Sequence, residues 1–491
     1  MKLIDAPKLI CPIDERLDEL ECQLEELIRE VNNRIRKNEN KDIKLKGEGD
    51  SIKWTLPYKK KEDSEFNNPF YDQLPHVNII SVLEFVNEKC QFMKEFTHVK
   101  PHRSQKADDQ YIKGCLIANA TSLGIYKIAE NSNLDYKSLY STEKNYFRLE
   151  TLINANNAVV SKIAELPIFA HHNLSESILH GSLDGQKVLS RRETFKSRYS
   201  AKYFGFEKGI VNLRMILNGI AMGLKVIGPN EYEGHYLYDM LFNNSSGLEI
   251  DRISTDTHGT NQINFALLDF LDIEFMPCYR SISKRAQNIC GFKNSNSYEG
   301  YLIKPSRKVR KALIKKEWPI IAALMLKETT QSIVVKKLCS HKIKSRTKDA
   351  LWEYNDILMS IYLLKYINDI NIRRLVRATL NRGESHNQLC ALISSVGGSG
   401  PRGASDLEIE MWSECTRLLA NIIVYYNGYI MSQVMLKKEQ QSNVKAVEFV
   451  RKLSLIAVQH LNLQGYYSFD VKAESVDIAK MVLHLDKILG K

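Results

Sequence analysis

The sequence predicts a mixed α/β protein in which one block of strands and short helices lies between mostly helical regions. From Pro75 to Phe169, apolar residues recur at the three- and four-residue steps of amphipathic helices. Near His171 the pattern changes to short apolar or alternating runs, and from Lys284 onward helical spacing returns. A chain of 491 residues can hold several domains, because one domain usually has roughly 100–200 residues.

The first region, residues 1–68, is predicted to be a helix followed by a linker. Leucines and valine recur at helical spacing between Asp14 and Arg36. We favour a helix packed on its own protein over a dimerisation helix. The polar, Gly- and Lys-rich stretch from Lys44 to Asn68 indicates a linker or an exposed hairpin. The apolar positions of the helix are Leu17, Leu20, Leu24, Leu27 and Val31.

Residues 69–170 are predicted to form a helical scaffold. The apolar residues between Val77 and Val86 indicate a buried helix, and the runs Leu116–Ile128 and Tyr146–Ile163 indicate two more.

Residues 171–283 are predicted to contain five strands. Ile178–Asp184 is the first, and the Asp184-Gly185 step after it is a turn signal. Thr194–Phe204 alternates as a half-buried strand does, and Ile210–Leu217 is the third strand.

A helix at Glu231–Phe242 precedes a fourth strand, Leu248–Thr255. Thr260 can cap a second helix, and Ile273–Pro277 is the fifth strand. Three strands, a helix, a strand, a helix and a strand follow one another as in a ribonuclease-H-like domain. We therefore predict that residues 171–283 form the first part of such a core.

Residues 284–371 are predicted to be a large all-helical insertion, and they contain two basic clusters. A solvated face explains either cluster, but the first has only Glu317 beside it, which favours a phosphate-binding surface. The first cluster comprises Lys304, Arg307, Lys308, Arg310, Lys311, Lys315 and Lys316. The second comprises Lys336, Lys337, Lys342, Lys344, Arg346 and Lys348.

Residues 372–400 are predicted to return to the core through a helix, Ile372–Ser394, that carries Glu384. A Gly-rich loop starts at Gly397 and lacks the Lys-Ser/Thr pair of a nucleotide-binding loop, which argues against a nucleotide cofactor. Residues 401–491 are predicted to be a C-terminal helical region, with helices at Met411–Met435 and Val444–Leu461.

The composition favours a cytoplasmic protein with a polyanionic partner. The net charge is +11 and the pI is near 9.0. Nine scattered cysteines without CxxC spacing indicate a reducing compartment. No signal-peptide pattern follows Met1, and the most apolar stretch, Ile210–Ile227, contains Asn212, Arg214 and Lys225, which argues against a membrane span.

Three acids carry the predicted chemistry. Asp184 ends the first predicted strand, Asp256 follows the fourth, and Glu384 lies on the later helix. Neighbouring strands would bring the two aspartates close together, and a divalent cation would relieve their repulsion. Carboxylates and Mg²⁺ together suit a two-metal phosphoryl transfer. Each acid also has a structural alternative, namely a turn for Asp184, a helix cap for Asp256 and an ordinary helix acid for Glu384.

The motifs around these acids resemble those of the TnpA-type replicative transposases of the Tn-three family, in the DDE superfamily. His180-Gly-Ser-Leu-Asp-Gly-Gln186 is similar to the family's Ser-Asp-Gly-Gln segment. Ser254-Thr-Asp-Thr-His-Gly259 is similar to its Thr-Asp-Thr-x-Gly segment. Leu380-Asn-Arg-Gly-Glu-Ser-His386 is similar to its Leu-Asn-Arg-Gly-Glu-x-His segment. Flanking similarities extend the resemblance to roughly residues 70–470.

The resemblance implies a transposase that cleaves transposon 3′ ends and joins each 3′-OH to target DNA. It implies Asp184, Asp256 and Glu384 as catalytic metal ligands, Mg²⁺ as cofactor with Mn²⁺ able to substitute, and transposon ends and target DNA as partners. We also expect a homodimer, no membrane partner, and action at the nucleoid. Residues considered as DNA contacts are Gln186, Lys187, Arg198, His258, Lys308, Arg310, Lys311, Arg382 and His386. Arg382 and His386 have the alternative of ordering the site, and His258 that of stabilising a turn.

The sequence also departs from the family's pattern. Cys278 stands where the family usually has Arg, and Leu455 and Val458 stand where it often has Pro and Trp. The family's proteins are about twice as long, so we expect this chain to be the catalytic, C-terminal half, without the half that recognises transposon ends.

Two other functions stay open at this point. The chain could be an inactive, truncated transposase that binds DNA, dimerises with or inhibits a full-length enzyme. It could also be another ribonuclease-H-like nuclease, although the long insertion before Glu384 disfavours this.

Overall fold

A computed structural model describes residues 7–47, 53–57, 66–100, 106–175, 177–325, 332–398, 400–469 and 476–490. Within these ranges the α-helices are α1 (Pro7–Ile10), α2 (Ile13–Arg36), α3 (Ile79–Cys90), α4 (Asp109–Ala120), α5 (Ile125–Glu130), α6 (Tyr136–Tyr146), α7 (Leu149–Ala164), α8 (Pro167–His171), α9 (Ala201–Phe204), α10 (Leu237–Phe242), α11 (Asn264–Phe270), α12 (Ile282–Ala286), α13 (Lys311–Met325), α14 (Ser332–Leu338), α15 (Arg346–Asn368), α16 (Ile370–Ser395), α17 (Asp406–Gln440), α18 (Val444–Lys452) and α19 (Ile478–Ile488).

The β-strands of the same ranges include three long ones and several of two to four residues. They are β1 (Lys44–Lys46), β2 (Lys53–Thr55), β3 (Val77–Asn78), β4 (His180–Leu189), β5 (Arg198–Tyr199), β6 (Lys208–Leu217), β7 (Ile220–Ile227), β8 (Arg252–Thr255), β9 (Glu274–Phe275), β10 (Cys290–Gly291), β11 (Arg307–Lys308) and β12 (Leu461–Asn462). The chain is therefore a mixed α/β protein, as predicted. Among the described helices, none is long and apolar enough to cross a membrane.

The chain folds into two compact units that alternate along the sequence. Unit 1 contains the described residues of Met1–Glu62, Tyr232–Asn243 and Ile250–Leu380. Unit 2 contains those of Asp63–Glu231, Asn244–Glu249 and Asn381–Lys491.

Unit 1 is built around α15. The predicted N-terminal helix is confirmed as α2, which packs on α15 and α13 and so lies on its own protein. Its buried face includes Ile28, whereas the predicted Leu27 is only partly buried. Rings of Phe270, Trp318 and Tyr354 pack together beside α15, with centroids 5.1–5.8 Å apart.

Of the stretch Lys44–Asn68, predicted as a linker or hairpin, residues 48–52 and 58–65 lie outside the described residues. The described part contains a strand pair within unit 1, as the hairpin alternative predicts. Strands β1 and β2 pair antiparallel, with Lys44 opposite Thr55. Further along the unit, β8 and β9 pair in parallel as the predicted fourth and fifth strands, with a helix, α11, between them.

The predicted capping role of Thr260 is wrong. Helix α11 starts only at Asn264, and the side-chain oxygen of Asn261 accepts hydrogen bonds from the backbone N–H groups of Ile263 and Asn264. Asn261 thereby satisfies two backbone donors at the helix start, where N–H groups have no partner within the helix.

Unit 2 is built around α17, a helix of 35 residues that packs against α7, α4, α3 and β7. Trp412 is buried with Ile409, Ile210 and Val226, and its indole N–H donates to Ser122 Oγ at 2.9 Å. The predicted helix Met411–Met435 is confirmed and is longer than predicted.

The sheet of unit 2 contains β4, β6 and β7, with antiparallel pairing of β4 to β6 and of β6 to β7. Strand β6 is central, and all its residues after Lys208 are buried. Asn218 and Gly219 join β6 to β7 with positive φ angles of 49° and 87°. Two positive φ angles are what a tight hairpin turn between twisted strands requires.

One strand prediction in this region is wrong, and one observed strand was not predicted. Thr194–Phe204 is not a strand; it contains only the two-residue β5 and the short α9, and Phe195 is 79% exposed. The predicted strand Ile210–Leu217 is confirmed as β6, whereas the third long strand, β7, was not predicted.

Helix bounds also differ from the predictions. Leu116–Ile128 contains the end of α4 and the start of α5, with a break at which Ser122 and Gly124 have positive φ angles. The helix predicted at Val444–Leu461 ends at Lys452. The helix predicted at Tyr146–Ile163 begins at Leu149.

We expect Trp412→Ala to lower the free energy of unfolding by about 3–5 kcal/mol, because it removes a large buried ring and leaves a cavity. The control is Leu407→Ala on the same helix, where the side chain is 54% exposed and the expected change is within about 0.5 kcal/mol. Urea unfolding followed by circular dichroism measures both, and equal losses would contradict this packing.

Candidate functional site

Asp184 lies in the middle of strand β4 and is half-buried. Its predicted position at a strand end is wrong, since Asp184 and Gly185 both pair within the sheet, opposite Arg214 and Leu213 of β6. The turn alternative for Asp184 is therefore wrong as well.

A hydrogen-bonded network holds the Asp184 carboxylate. The side-chain amide of Asn387, on α16, donates to Asp184 Oδ2 at 3.0 Å. The fully buried Arg214 donates through Nη1 to Asn387 Oδ1 at 2.9 Å and to Gln186 Oε1 at 2.5 Å. Gln186 completes the ring by donating to the Asn387 backbone oxygen at 2.8 Å. Asp184 is thus oriented by side chains from two strands and one helix.

Glu384 lies one helical turn before Asn387 on α16, and its side chain is exposed. Residues three apart on a helix face the same side. Gly383 lets this turn approach β4, because a Cβ at this position would lie 2.8 Å from Ser182 Oγ. Asp184 and Glu384 therefore belong to one local structure within unit 2, as the sequence motifs predict.

Asp256 lies in unit 1, directly after β8. Its Oδ1 accepts the backbone N–H of His258 at 2.7 Å and caps the short 3₁₀ turn Thr257–Gly259. The cap alternative is confirmed, but it uses one carboxylate oxygen and the side chain stays partly exposed. His258 is exposed.

His386 is fully buried, so the prediction that it contacts DNA is wrong. Burial, together with the positive charges of Arg214 and Arg417, lowers the pKa of His386 to about 3. Its neighbour Arg382 donates to the His172 backbone oxygen at 2.5 Å and to Asn218 Oδ1 at 3.1 Å. Both residues thus fit the alternative of ordering the site.

The three other candidate DNA contacts of unit 2 differ in availability. Gln186 uses both ends of its amide in the Asp184 network. The Lys187 ammonium donates to the Gly185 backbone oxygen at 2.8 Å, and its nitrogen lies 5.4 Å from the Tyr203 ring centroid. Arg198 is exposed and lies over the Phe195 ring.

The first basic cluster is largely ion-paired within unit 1, so the argument that only Glu317 accompanies it is wrong. Arg310 pairs with Glu353 at 2.8 Å, and Lys311 pairs with Asp18 at 2.6 Å and Glu21 at 2.8 Å. These acids come from α15 and α2, far away along the chain. Lys308 contacts Asn294 at 3.3 Å and is exposed.

The acids fit a hard divalent cation by their donor chemistry, because carboxylate oxygens are the ligands that Mg²⁺ prefers. In the part of the chain that the structure describes, no group of three or more His, Cys, Asp or Glu side chains is arranged to hold a metal ion. Sequence reasoning missed Arg214 and Asn387, the two residues that orient Asp184.

Comparisons with known proteins agree with the motifs. A family model described as the Tn3 transposase DDE domain matches residues 81–467. The transposase for transposon gamma-delta of Escherichia coli (strain K12) is 25% identical over 93% of this chain and 46% of its own length. The transposase for transposon Tn2501 of Escherichia coli is 27% identical over 82% of the chain and 41% of its own length. The transposase for transposon Tn1546 of Enterococcus faecium is 23% identical over 83% of the chain and 41% of its own length. The chain thus spans less than half the length of these relatives.

The buried His386 predicts a pH-dependent stability. Its folded-state pKa, about 3, is below the unfolded value near 6.5, so the unfolded chain takes up the proton first as pH falls. Unfolding free energy should therefore decrease below about pH 6.5, by about 1.4 kcal/mol per pH unit for this group, down to the folded pKa.

Urea unfolding between pH 7.5 and 5 measures this slope, and His386→Gln should make it shallower. The same substitution at the exposed His258 provides the control. Identical slopes for wild type and His386→Gln would refute the buried neutral imidazole.

Proposed function

Because the chain belongs to the Tn3 transposase DDE domain family, we propose that it is the catalytic part of a DNA transposase, which cleaves transposon 3′ ends and joins each 3′-OH to target DNA. The observation that supports this most is local. Helix α16 presents Glu384 and, one turn later, the Asn387 amide that holds Asp184. The same helix therefore carries one of the three motif acids and orients a second.

The third proposed ligand is Asp256. It keeps one carboxylate oxygen outside its capping hydrogen bond, and it follows a strand, β8, in an element order that supports a ribonuclease-H-like core. In that order β4, β6 and β7 are followed by α10, β8, α11 and β9. Residues 284–371 contain α13, α14 and the whole of α15 and form the proposed, mainly helical insertion. The prediction that this region is all-helical is wrong, because β10 and β11 pair within it.

A DDE transposase domain implies a divalent metal requirement in general, and we propose Mg²⁺, with Mn²⁺ able to substitute. When bound, the metal would activate the attacking oxygen and stabilise the leaving oxygen of an in-line displacement. Asp184, Asp256 and Glu384 would hold it.

The other residues of the site position these acids. Asn387 fixes the orientation of the Asp184 carboxylate, and the buried Arg214 fixes Asn387. Such outer partners keep a ligand in one rotamer and so raise metal affinity. Transposon ends and target DNA are the proposed partners, and a homodimer is the proposed assembly.

A second candidate function is a DNA-binding protein without catalysis. It needs only a basic protein that binds DNA, and the net charge of +11 favours it. Gel shifts combined with an Mg²⁺-dependent plasmid-nicking assay separate the two functions, because only a catalyst nicks.

We expect Asp184→Asn, Asp256→Asn and Glu384→Gln each to reduce Mg²⁺-dependent nicking of supercoiled plasmid by more than about 100-fold. The loss should exceed the roughly 10–100-fold that outer partners of a metal site cost. Circular dichroism should show that the variants fold. The control is Glu19→Gln, where the side chain is 70% exposed. A fully active Asp256→Asn variant would exclude the three-acid site.

We expect Asn387→Ala to raise the Mg²⁺ concentration for half-maximal nicking by roughly 10–100-fold, because Asp184 loses its orienting amide. Gln388→Ala on the same helix is the control, since the Gln388 side chain forms no hydrogen bond to another described residue. A lower maximal rate at unchanged Mg²⁺ dependence would show that Asn387 acts only on the fold.

A further inference from the structure

The connection between β4 and β6, residues 190–207, exposes several aromatic side chains. Phe206 is 95% exposed and Phe195 is 79% exposed, with Tyr199 at 47% and Tyr203 at 37%. We call this stretch the aromatic connection. Large exposed apolar side chains that cluster in this way mark interaction surfaces.

Other residues of the aromatic connection are buried or paired within unit 2, so the segment is packed on the protein although these rings are exposed. Ser197 and Ser200 are buried. Phe204 packs on Gly209, where a Cβ would come within 2.3 Å of the ring. Lys196 forms an ion pair with Glu410 of α17. The backbone is thereby held against unit 2 while the outward rings stay in solvent.

Positive charge is interleaved with these rings. Five basic residues and two acidic residues lie between positions 190 and 207. The Arg198 guanidinium lies 5.0 Å from the Phe195 ring centroid, and Lys202 Nζ lies 4.5 Å from that of Tyr203. In the described chain, no carboxylate forms an ion pair with Arg198 or Lys202. Both cations are therefore available to a polyanion.

We propose that the aromatic connection binds unpaired DNA bases by stacking, with Arg198 and Lys202 contacting the neighbouring phosphates. Rings and cations side by side fit single-stranded nucleic acid, whose base faces are open, whereas duplex DNA hides its base faces. Leu189, the last residue of β4 before the connection, lies five residues from Asp184, roughly 17 Å away. The proposal assigns the bound bases to a DNA strand near the proposed catalytic site, and it rests on the proposed action on DNA.

The test is the affinity of the 491-residue chain for a mixed-sequence single-stranded oligonucleotide and for its duplex, measured by fluorescence anisotropy in EDTA. The variant is Phe195→Ala/Phe206→Ala. Its affinity for the single strand should fall at least about tenfold, because two rings that stack on bases are lost. Its affinity for the duplex should change less than twofold. The matched control is Tyr126→Ala/Tyr466→Ala, where both rings are more than 60% exposed.

Equal losses on both DNA forms, no loss on either, or no binding of the single strand by wild type would overturn the proposal. A change in sedimentation of the double variant without DNA would overturn it in favour of a contact with a second copy. If the double variant does not fold, the single variant Phe206→Ala is measured instead, and it too should lose affinity for the single strand only. The binding assay in EDTA does not depend on the metal, so it tests this inference separately from the proposed catalysis. Ring-dependent binding of the single strand by a chain that never nicks DNA would refute the proposed catalysis alone. Nicking by a chain without ring-dependent binding would refute this inference alone.

Discussion

The buried guanidinium of Arg214 is the constraint on which the candidate site of unit 2 depends. A fully buried cation is costly unless hydrogen bonds and nearby negative groups compensate it. Arg214 lies on the central strand β6 and donates to Gln186 and Asn387. Asn387 in turn holds Asp184. The hydrogen bonds that the buried guanidinium requires thereby fix the Asn387 amide, and this amide orients the Asp184 carboxylate on the neighbouring strand.

The positive charge of Arg214 also affects the ionisation of two buried residues in the core, Glu414 of α17 and His386 of α16. Glu414 is buried, and burial raises its pKa above the usual value although Arg417 at 2.8 Å and the charge of Arg214 partly oppose this shift. His386 stays neutral in this environment because burial and the two arginines disfavour its protonated form. Charges on β6 and α17 thus act on one imidazole of α16, and within α17 the Arg417–Glu414 ion pair is hydrogen-bonded.

Much of the fold could be predicted from periodicity, and the failures have specific physical reasons. Helices α2 and α17 have clear apolar spacing and were predicted. Strand β7 was missed although Asn218-Gly219, a strong hairpin signal, divides the apolar run in two.

The aromatic connection alternates like a strand, but its rings face solvent. Alternation alone cannot tell a buried face from an exposed binding surface. The three acids could be proposed from their motifs, whereas Arg214 and Asn387 could not. The register of β4 and β6 brings Arg214 opposite Asp184, and the packing of α16 on β4 brings Asn387 to it. The basic cluster was misjudged for the same reason, since its partner acids lie on distant helices.

The central claim is that Asp184, Asp256 and Glu384 share divalent metal. Replacing Mg²⁺ by Fe²⁺ in the DNA-bound chain, and adding ascorbate and peroxide, cuts the polypeptide beside the bound ion through locally formed radicals. Mass spectrometry of the fragments locates the cuts. The account predicts cuts close to all three acids that excess Mg²⁺ suppresses together. Cuts near Asp184 and Glu384 without any near Asp256 would contradict it.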